Sequence, residues 1–308
     1  MTDAFTAGPS PMMRLTTAAV ALLRNKRIMV SEPRSRADVA ASTGKPFAAP
    51  PRSSRRTLSI SSERLGPVRA TVIEPRDGVR ASRPLVYVHG GGYVHQFETA
   101  HWWLTGALAR DLGVRIYAVD YTLAPSGTAA TGVAEVTAAV QAVAERHGMA
   151  PIVAGDSAGG GLALAVAGRL RDTPAAPAHL LLFAPWLDVA VRNPEARALD
   201  RRDPSLALPG LLVGGELWAG DLGPDHPEVS PLFADPTGLP ATSLVVGTRD
   251  MLYPDARDFA ASARAAGVDL ATFTASDAFH VFVAATWLPE SISARVWVKQ
   301  RLGPLLHD

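Results

Sequence analysis

The chain has 308 residues, enough for one large α/β domain or two small ones. Hydrophobic residues make up 47% and charged residues 19%, which excludes a disordered chain. Lys and Arg total 30 against 29 Asp and Glu, a net charge of +1; nucleic acid, which needs a basic face, is not an expected partner. Cysteine is absent, which removes disulfide scaffolds, zinc–thiolate sites, iron–sulfur clusters and a cysteine nucleophile.

The first apolar run is Leu15–Leu23. Arg14 is the base before it, and Arg24, Lys26 and Arg27 follow where a secretory signal would have a small-residue cleavage site. The run also falls short of the roughly 20 apolar residues that span a bilayer. An amphipathic helix, a cytoplasmic location and no stable membrane insertion are therefore expected. Arg34–Arg56, rich in Pro, Ser, Ala and Arg, reads as irregular.

An alternation of strands and helices follows. Thr57–Ser61 and Val68–Ile73 form an opening hairpin, and Leu85–Val88 is a short strand before a glycine cluster. Ala100–Leu112 has helical spacing and stops before Gly113; Val114–Val119 is a strand; Val133–Arg146 is a helix ended by Gly148. Ile152–Ala154 is a strand, Ala158–Leu170 an Ala/Leu helix and Leu180–Phe183 a strand. Leu244–Val246, Ala256–Ala266, Leu270–Phe273 and Ile292–Leu302 read as strand, helix, strand and helix. Short apolar strands separated by helices predict an α/β fold with a mostly parallel sheet and helices on both faces. Two stretches break the rhythm: residues 1 to about 50, and 188–235 with its apolar segment Leu206–Leu217. An insertion between core strands usually lies over the strands' C-terminal ends, so both are expected to form a helical cap on a single domain of residues 1–308. The two apolar stretches Leu15–Leu23 and Leu206–Trp218 are expected to pack together there.

Gly155-Asp156-Ser157-Ala158-Gly159 has the form G-x-S-x-G between a strand and a helix, the context of a nucleophile elbow. The turn is too sharp for side chains two residues either side of the serine, and glycine removes the collision. Ser157 then sits at a helix N-terminus, where free N–H groups favour developing negative charge. An incidental serine in a glycine-rich turn is the plain alternative. His89-Gly90-Gly91-Gly92-Tyr93 follows a strand and lets backbone N–H groups approach a substrate oxygen. With the residue after the nucleophile, the oxyanion donors are then Gly91, Gly92 and Ala158.

A serine nucleophile needs a base and an orienting carboxylate, in the chain order Ser, acid, His. Of the histidines after Ser157, His179 opens a core strand, His226 lies in a surface turn and His307 at the C-terminus. His280, in the loop between the last strand and last helix, is favoured as base. Asp250, just past the strand Leu244–Val246, is favoured as acid; Asp255, read as a helix cap, and Asp277 are its rivals. Tyr93, Trp102 and Trp186 are candidates for the substrate pocket, each with a core role as the alternative, and Trp103 competes with Trp102.

These motifs resemble those of the hormone-sensitive-lipase family of α/β-hydrolases, in its bacterial esterase branch. The matching pieces are His89–Tyr93, Gly155–Gly160, Ser230-Pro231-Leu232, Gly247–Leu252 and Phe279–Phe282, from about residue 85 to the end. The resemblance implies a catalytic triad of Ser157, Asp250 and His280, oxyanion donors Gly91, Gly92 and Ala158, and a helical cap. It also implies a cleft suited to short or medium acyl chains. The family often has Tyr-Arg-Leu-Ala-Pro-Glu where this chain has Tyr121-Thr122-Leu123-Ala124-Pro125-Ser126, and Asp-Pro-Leu where Met251 follows Asp250.

The expected function is metal-free and cofactor-free hydrolysis of a small-molecule carboxylic ester, with homodimerisation open. A lactone, carbamate or amide hydrolase on the same site is an alternative. So is a non-catalytic small-ligand receptor similar to the gibberellin receptors, against which His280 argues. A peptidase of the prolyl-oligopeptidase type would carry a propeller domain for which 308 residues leave no room.

Overall fold

The computed structural model describes residues 3–22 and 25–307; Leu23 and Arg24 lie outside the described residues. The N-terminal part holds β1 (Ala4–Thr6), α1 (Pro11–Leu22), α2 (Asn25–Met29), α3 (Glu32–Ser42) and α4 (Arg52–Thr57). The hairpin is β2 (Leu58–Leu65) and β3 (Val68–Pro75). The alternation continues with β4 (Leu85–Val88), α5 (Thr99–Leu112), β5 (Ile116–Asp120), α6 (Ala129–His147), β6 (Ile152–Asp156), α7 (Ser157–Leu170) and β7 (His179–Phe183). The insertion carries α8 (Pro194–Leu199) and α9 (Leu208–Ala219). The chain closes with β8 (Thr242–Gly247), α10 (Tyr253–Ala265), β9 (Leu270–Ala275) and α11 (Pro289–Leu302).

The strands form one sheet in the order β1-β9-β8-β7-β6-β4-β5-β3-β2. Every pairing from β1 to β5 across this order is parallel; β3 joins β5 and β2 joins β3 antiparallel. The core strands read as unbroken apolar runs because both sheet faces are buried. Val86, Val88, Val153, Leu180, Leu182, Leu244 and Val246 point to the face covered by α6, α7 and α10. Leu85, Tyr87, Ile152, Ala154, Leu181, Phe183 and Val245 point to the other, with α5 and α11. Each apolar side chain fully removed from water stabilises by roughly 1.5–3 kcal/mol before entropy is counted.

Three expectations change. Arg34–Arg56 is not irregular throughout, since α3 and α4 occupy its two ends. Val39 is the buried apolar anchor of α3, packed with Val94, Ala124 and Val213, so this helix depends on tertiary contact rather than on an amphipathic stripe. The three-residue edge strand β1 was not foreseen; it is tied in by the Asp3 carboxylate, which accepts from the Thr272 N–H at 2.8 Å and pairs with Arg264 at 2.6 Å. Third, α1 does not have α9 as its main partner. It packs on α11 and α2, through buried Met13 and through Ser10, whose N–H and hydroxyl donate to Glu290 at 2.6 and 3.1 Å. Leu15 and Leu22 stay more than 70% exposed. It is α2 and α3 that pack on α9.

The α9 sequence, Leu208–Ala219, contains Gly210, Gly214 and Gly215, each less favourable than Ala in a helix by about 1 kcal/mol. Close approach explains all three: a Cβ on Gly210 would lie 2.6 Å from the Met29 Cβ of α2. A Cβ on Gly214 would lie 2.8 Å from the Gly92 carbonyl oxygen, and one on Gly215 would overlap the Val189 carbonyl. The helix thus rests backbone to backbone on the glycine loop after β4.

Candidate active site

The parallel strands deliver four loops to one end of the sheet: those after β4, β6, β8 and β9. This is where open α/β sheets bind ligands. Ser157 lies at the β6–α7 turn with φ +52°, a left-handed conformation costly for a residue with a Cβ. The turn survives because β6 and α7 over-determine it: a Cβ on Gly155 would overlap the Gly159 carbonyl, and one on Gly159 the Val88 carbonyl. The residue after His280 is Val281, a β-branched residue with φ +49°, so strained backbone lies at Ser157 itself and next to His280.

Ser157 Oγ lies 2.9 Å from His280 Nε2, and His280 Nδ1 lies 2.7 Å from Asp250 Oδ2. The carboxylate can only accept there, so Nδ1 carries the proton and Nε2 is left to accept from the serine hydroxyl. Asp250 is 1% exposed; its Oδ1 accepts the Leu252 N–H at 2.8 Å. Burial lowers the His280 pKa, but Asp250, then Asp203 and Asp156, outweigh it and raise the pKa above its ordinary value.

The rivals for the acid lie elsewhere. Asp277 pairs with Arg249 at 2.9 Å, away from the histidine nitrogens. Asp255 is in the first turn of α10 rather than at its cap position, which is Leu252; it is fully buried, and burial pushes its carboxyl up to about 6 against the lowering effect of Asn193. His179 is a neutral core residue on Ser243 at 2.9 Å, its pKa lowered to about 3 by burial. His226 accepts from the Glu228 N–H in a turn.

On the glycine loop, the Gly91 carbonyl accepts from the Val94 and His95 N–H groups at 3.1 and 2.9 Å, closing a tight turn. Neither the Gly91 nor the Gly92 N–H donates to another described residue. The loop's start is held from the elbow, where Asp156 Oδ1 accepts from the Gly90 N–H at 3.0 Å and the Tyr87 hydroxyl at 2.6 Å. His101 Nδ1 accepts from the Glu98 N–H, so its Nε2 proton faces Asp156 at 3.5 Å. Burial pushes the Asp156 carboxyl up, but His101 and these hydrogen bonds win and hold it below its ordinary value.

Tyr93 and Trp186 are fully buried behind the loop. Tyr93 stacks on Trp218 of α9 with centroids 4.1 Å apart, and on Trp186 at 5.4 Å. Trp186 also donates its backbone N–H to the Ser157 carbonyl at 2.8 Å. Both rings are buried in one core cluster with Trp218. Trp102 is 2% exposed, donates to the Ala48 carbonyl at 2.7 Å and packs edge-on against Phe97, a core placement; Trp103 is part-exposed on Trp287. In the Tyr121–Ser126 loop, the polar contacts are made by Glu135 of α6, which accepts from both the N–H and hydroxyl of Thr122 at 2.7 Å.

Sequence reasoning missed Asp203, which is 2% exposed and faces Asp250 and His280. Its only sequence signal is local: Asp203-Pro204-Ser205 reads as a turn. Among the described residues, no cluster of three or more His, Asp or Glu could hold a metal, and no helix is long and apolar enough to cross a membrane.

A family model described as alpha/beta hydrolase fold matches residues 85–284. An acetyl-hydrolase of Streptomyces hygroscopicus is 33% identical over 205 residues, 65% of this chain and 68% of that protein. An esterase of Acinetobacter venetianus is 31% identical over 246 residues, 77% of this chain and 80% of that one. The solved structure of an esterase from the bacterial hormone-sensitive lipase family superposes with a TM-score of 0.78 at 27% identity, covering 95% of this chain and 97% of that one.

Proposed function

The chain belongs to the α/β-hydrolase family, in its bacterial hormone-sensitive-lipase branch, and from that membership we propose that it cleaves carboxylic esters of short to medium acyl chain at Ser157. It is a carboxylic ester hydrolase, as its relatives are. The observation that carries the finer reading is the hydrogen-bond relay from Ser157 through His280 to Asp250.

In this reading His280 Nε2 takes the hydroxyl proton as Ser157 Oγ attacks the ester carbonyl. The tetrahedral oxyanion is received by the N–H groups of Gly91, Gly92 and Ala158. Asp250 stabilises the imidazolium without taking its proton. His280 then protonates the leaving alcohol, and water releases the acid by the same route in reverse. Trp218 and Gly214 brace the oxyanion loop from α9, and α2 and α3, packed on α9, act with the insertion 188–235 as the cap that shapes the cleft.

The test is a panel of p-nitrophenyl acyl esters and lactones on wild type and Ser157→Ala. Triad loss should leave only the roughly 10³–10⁴-fold catalysis of oxyanion hole and binding over water. A fluorophosphonate should label Ser157 alone. Labelling at another serine, or near-normal turnover by Ser157→Ala, would sink the assignment.

A further inference from the structure

Resting on the Ser157 reading, we propose that Asp203 is a positioning residue of the reaction: from the insertion, it clamps the loop that carries Asp250 and sets a second carboxylate against His280. Asp203 lies in the turn between α8 and α9. Its Oδ1 accepts the N–H groups of Ser205 at 2.7 Å and Leu206 at 2.9 Å, which is local turn chemistry. Its Oδ2 does something the turn does not need. It accepts the Met251 N–H at 2.9 Å, 48 residues away in the chain. Asp250 takes the next N–H, that of Leu252. Two adjacent buried carboxylates therefore receive consecutive N–H groups of one loop, and the backbone of the triad acid is held on the side facing the insertion.

The outer end of this turn is held as well. Lys26 of α2 donates to the Asp203 carbonyl at 2.7 Å and to the Asp200 carbonyl, and pairs with the Asp200 carboxylate at 3.6 Å. Asp200 in turn accepts the N–H of Leu208, where α9 begins. A continuous path of polar contacts thus runs from the N-terminal segment through the insertion to Asp250. The charged groups around it are Asp250, His280 and Asp156 on the inner side. On the outer side are Lys26, Asp200, and Arg202 and Arg249, which both face Asp277.

Asp203→Asn is the informative variant. An amide has one acceptor oxygen, so it can serve the Ser205–Leu206 turn or the Met251 N–H, not both. With p-nitrophenyl acetate, kcat should fall about 10- to 100-fold at nearly unchanged KM, because slight misplacement of an oriented catalytic group costs up to about 100-fold. Burial and the neighbouring Asp250 push the Asp203 carboxyl up to about 6, so its charge is present above that pH, and removing it should move the acid limb of the kcat/KM profile to lower pH. Asp277→Asn, which removes a carboxylate already neutralised by arginine, should leave the limb in place. If Asp203→Asn lowers only the urea midpoint, with kcat and limb unchanged, or if Asp277→Asn moves the limb equally, the proposal is overturned. Should Asp203→Asn fail to fold, Lys26→Met decides it. A lower kcat at constant KM supports the clamp, and wild-type kcat refutes it. Fluorophosphonate labelling of Ser157 in wild type separates this outcome from failure of the Ser157 reading.

Discussion

Gly214→Ala and Gly215→Ala are adjacent changes in the same helix with different expected consequences. In isolation each should stabilise α9 by about 1 kcal/mol through helix propensity. At Gly214 the new methyl would sit 2.8 Å from the Gly92 carbonyl oxygen, inside ordinary contact, so either α9 or the oxyanion loop must retreat. Overpacking of this kind costs about 1–3 kcal/mol, so the net change is a destabilisation of up to about 2 kcal/mol. If the loop retreats, it moves the Gly92 N–H that the proposed mechanism uses as an oxyanion donor. Losing one such donor outright costs about 10²–10³ in kcat, so partial displacement should cost about tenfold. At Gly215 the methyl meets the Val189 carbonyl instead, and the strain falls on the segment after Trp186. That variant should be destabilised to a similar or greater degree with kcat nearly intact. Urea unfolding midpoints and steady-state kinetics on p-nitrophenyl acetate measure both quantities. If Gly214→Ala is as active as wild type, or if both variants lose kcat in proportion to stability, then α9 does not brace the oxyanion loop.

Asp250→Asn should cut kcat by up to about 10⁴ with the fold retained, whereas Asp277→Asn should stay near wild type; the reverse pattern in a side-by-side assay would move the acid. The kcat/KM profile should rise with pH through one ionisation above the ordinary His value of about 6.5, because His280 must be neutral to act and its pKa is raised. Trp218→Ala removes a fully buried ring stacked on Tyr93 and should destabilise by about 3–5 kcal/mol, read as a lower urea midpoint. His89 and His179 are buried neutral with pKa values near 3, so between about 6.5 and 3 the unfolded chain binds protons that the folded chain does not, and their contribution turns unfavourable as pH falls. His179→Gln should flatten the loss of stability between pH 6 and 4 in urea titrations, and an unchanged slope would refute its role.

Local chemistry made much of this protein legible without coordinates. Leu85–Val88, Ile152–Ala154 and Leu180–Phe183 announce strands buried on both faces, and the structure extends them by no more than two residues. The elbow around Ser157 and the glycine loop His89–Tyr93 are turns whose residue types follow from their own backbone. The histidine and acid candidates came from chain order, and the structure brings His280 and Asp250 to hydrogen-bonding distance of one another.

Contacts between distant segments were not legible. The helix α3 has a polar, Arg-rich sequence and holds because Val39 finds Val213 on α9. The α1 stretch looked too apolar to remain outside, yet Leu15 and Leu22 are exposed while Met13 anchors it near α11. Trp102 could face a cleft or a core from sequence alone; the Ala48 carbonyl that receives its N–H decides for the core. Asp203 shows the boundary within a single side chain. Its Oδ1 bonds to Ser205 and Leu206 are short-range and follow from Asp-Pro-Ser, whereas its Oδ2 bond to Met251 exists only once α9 is seated against the sheet. Periodicity and turn preference are properties of a few neighbouring residues, so sequence determined the sheet, the elbow and the glycine loop. Which face of a helix is buried, and which carboxylate meets which N–H, depends on the simultaneous packing of segments dozens of residues apart, and only the tertiary structure decided them.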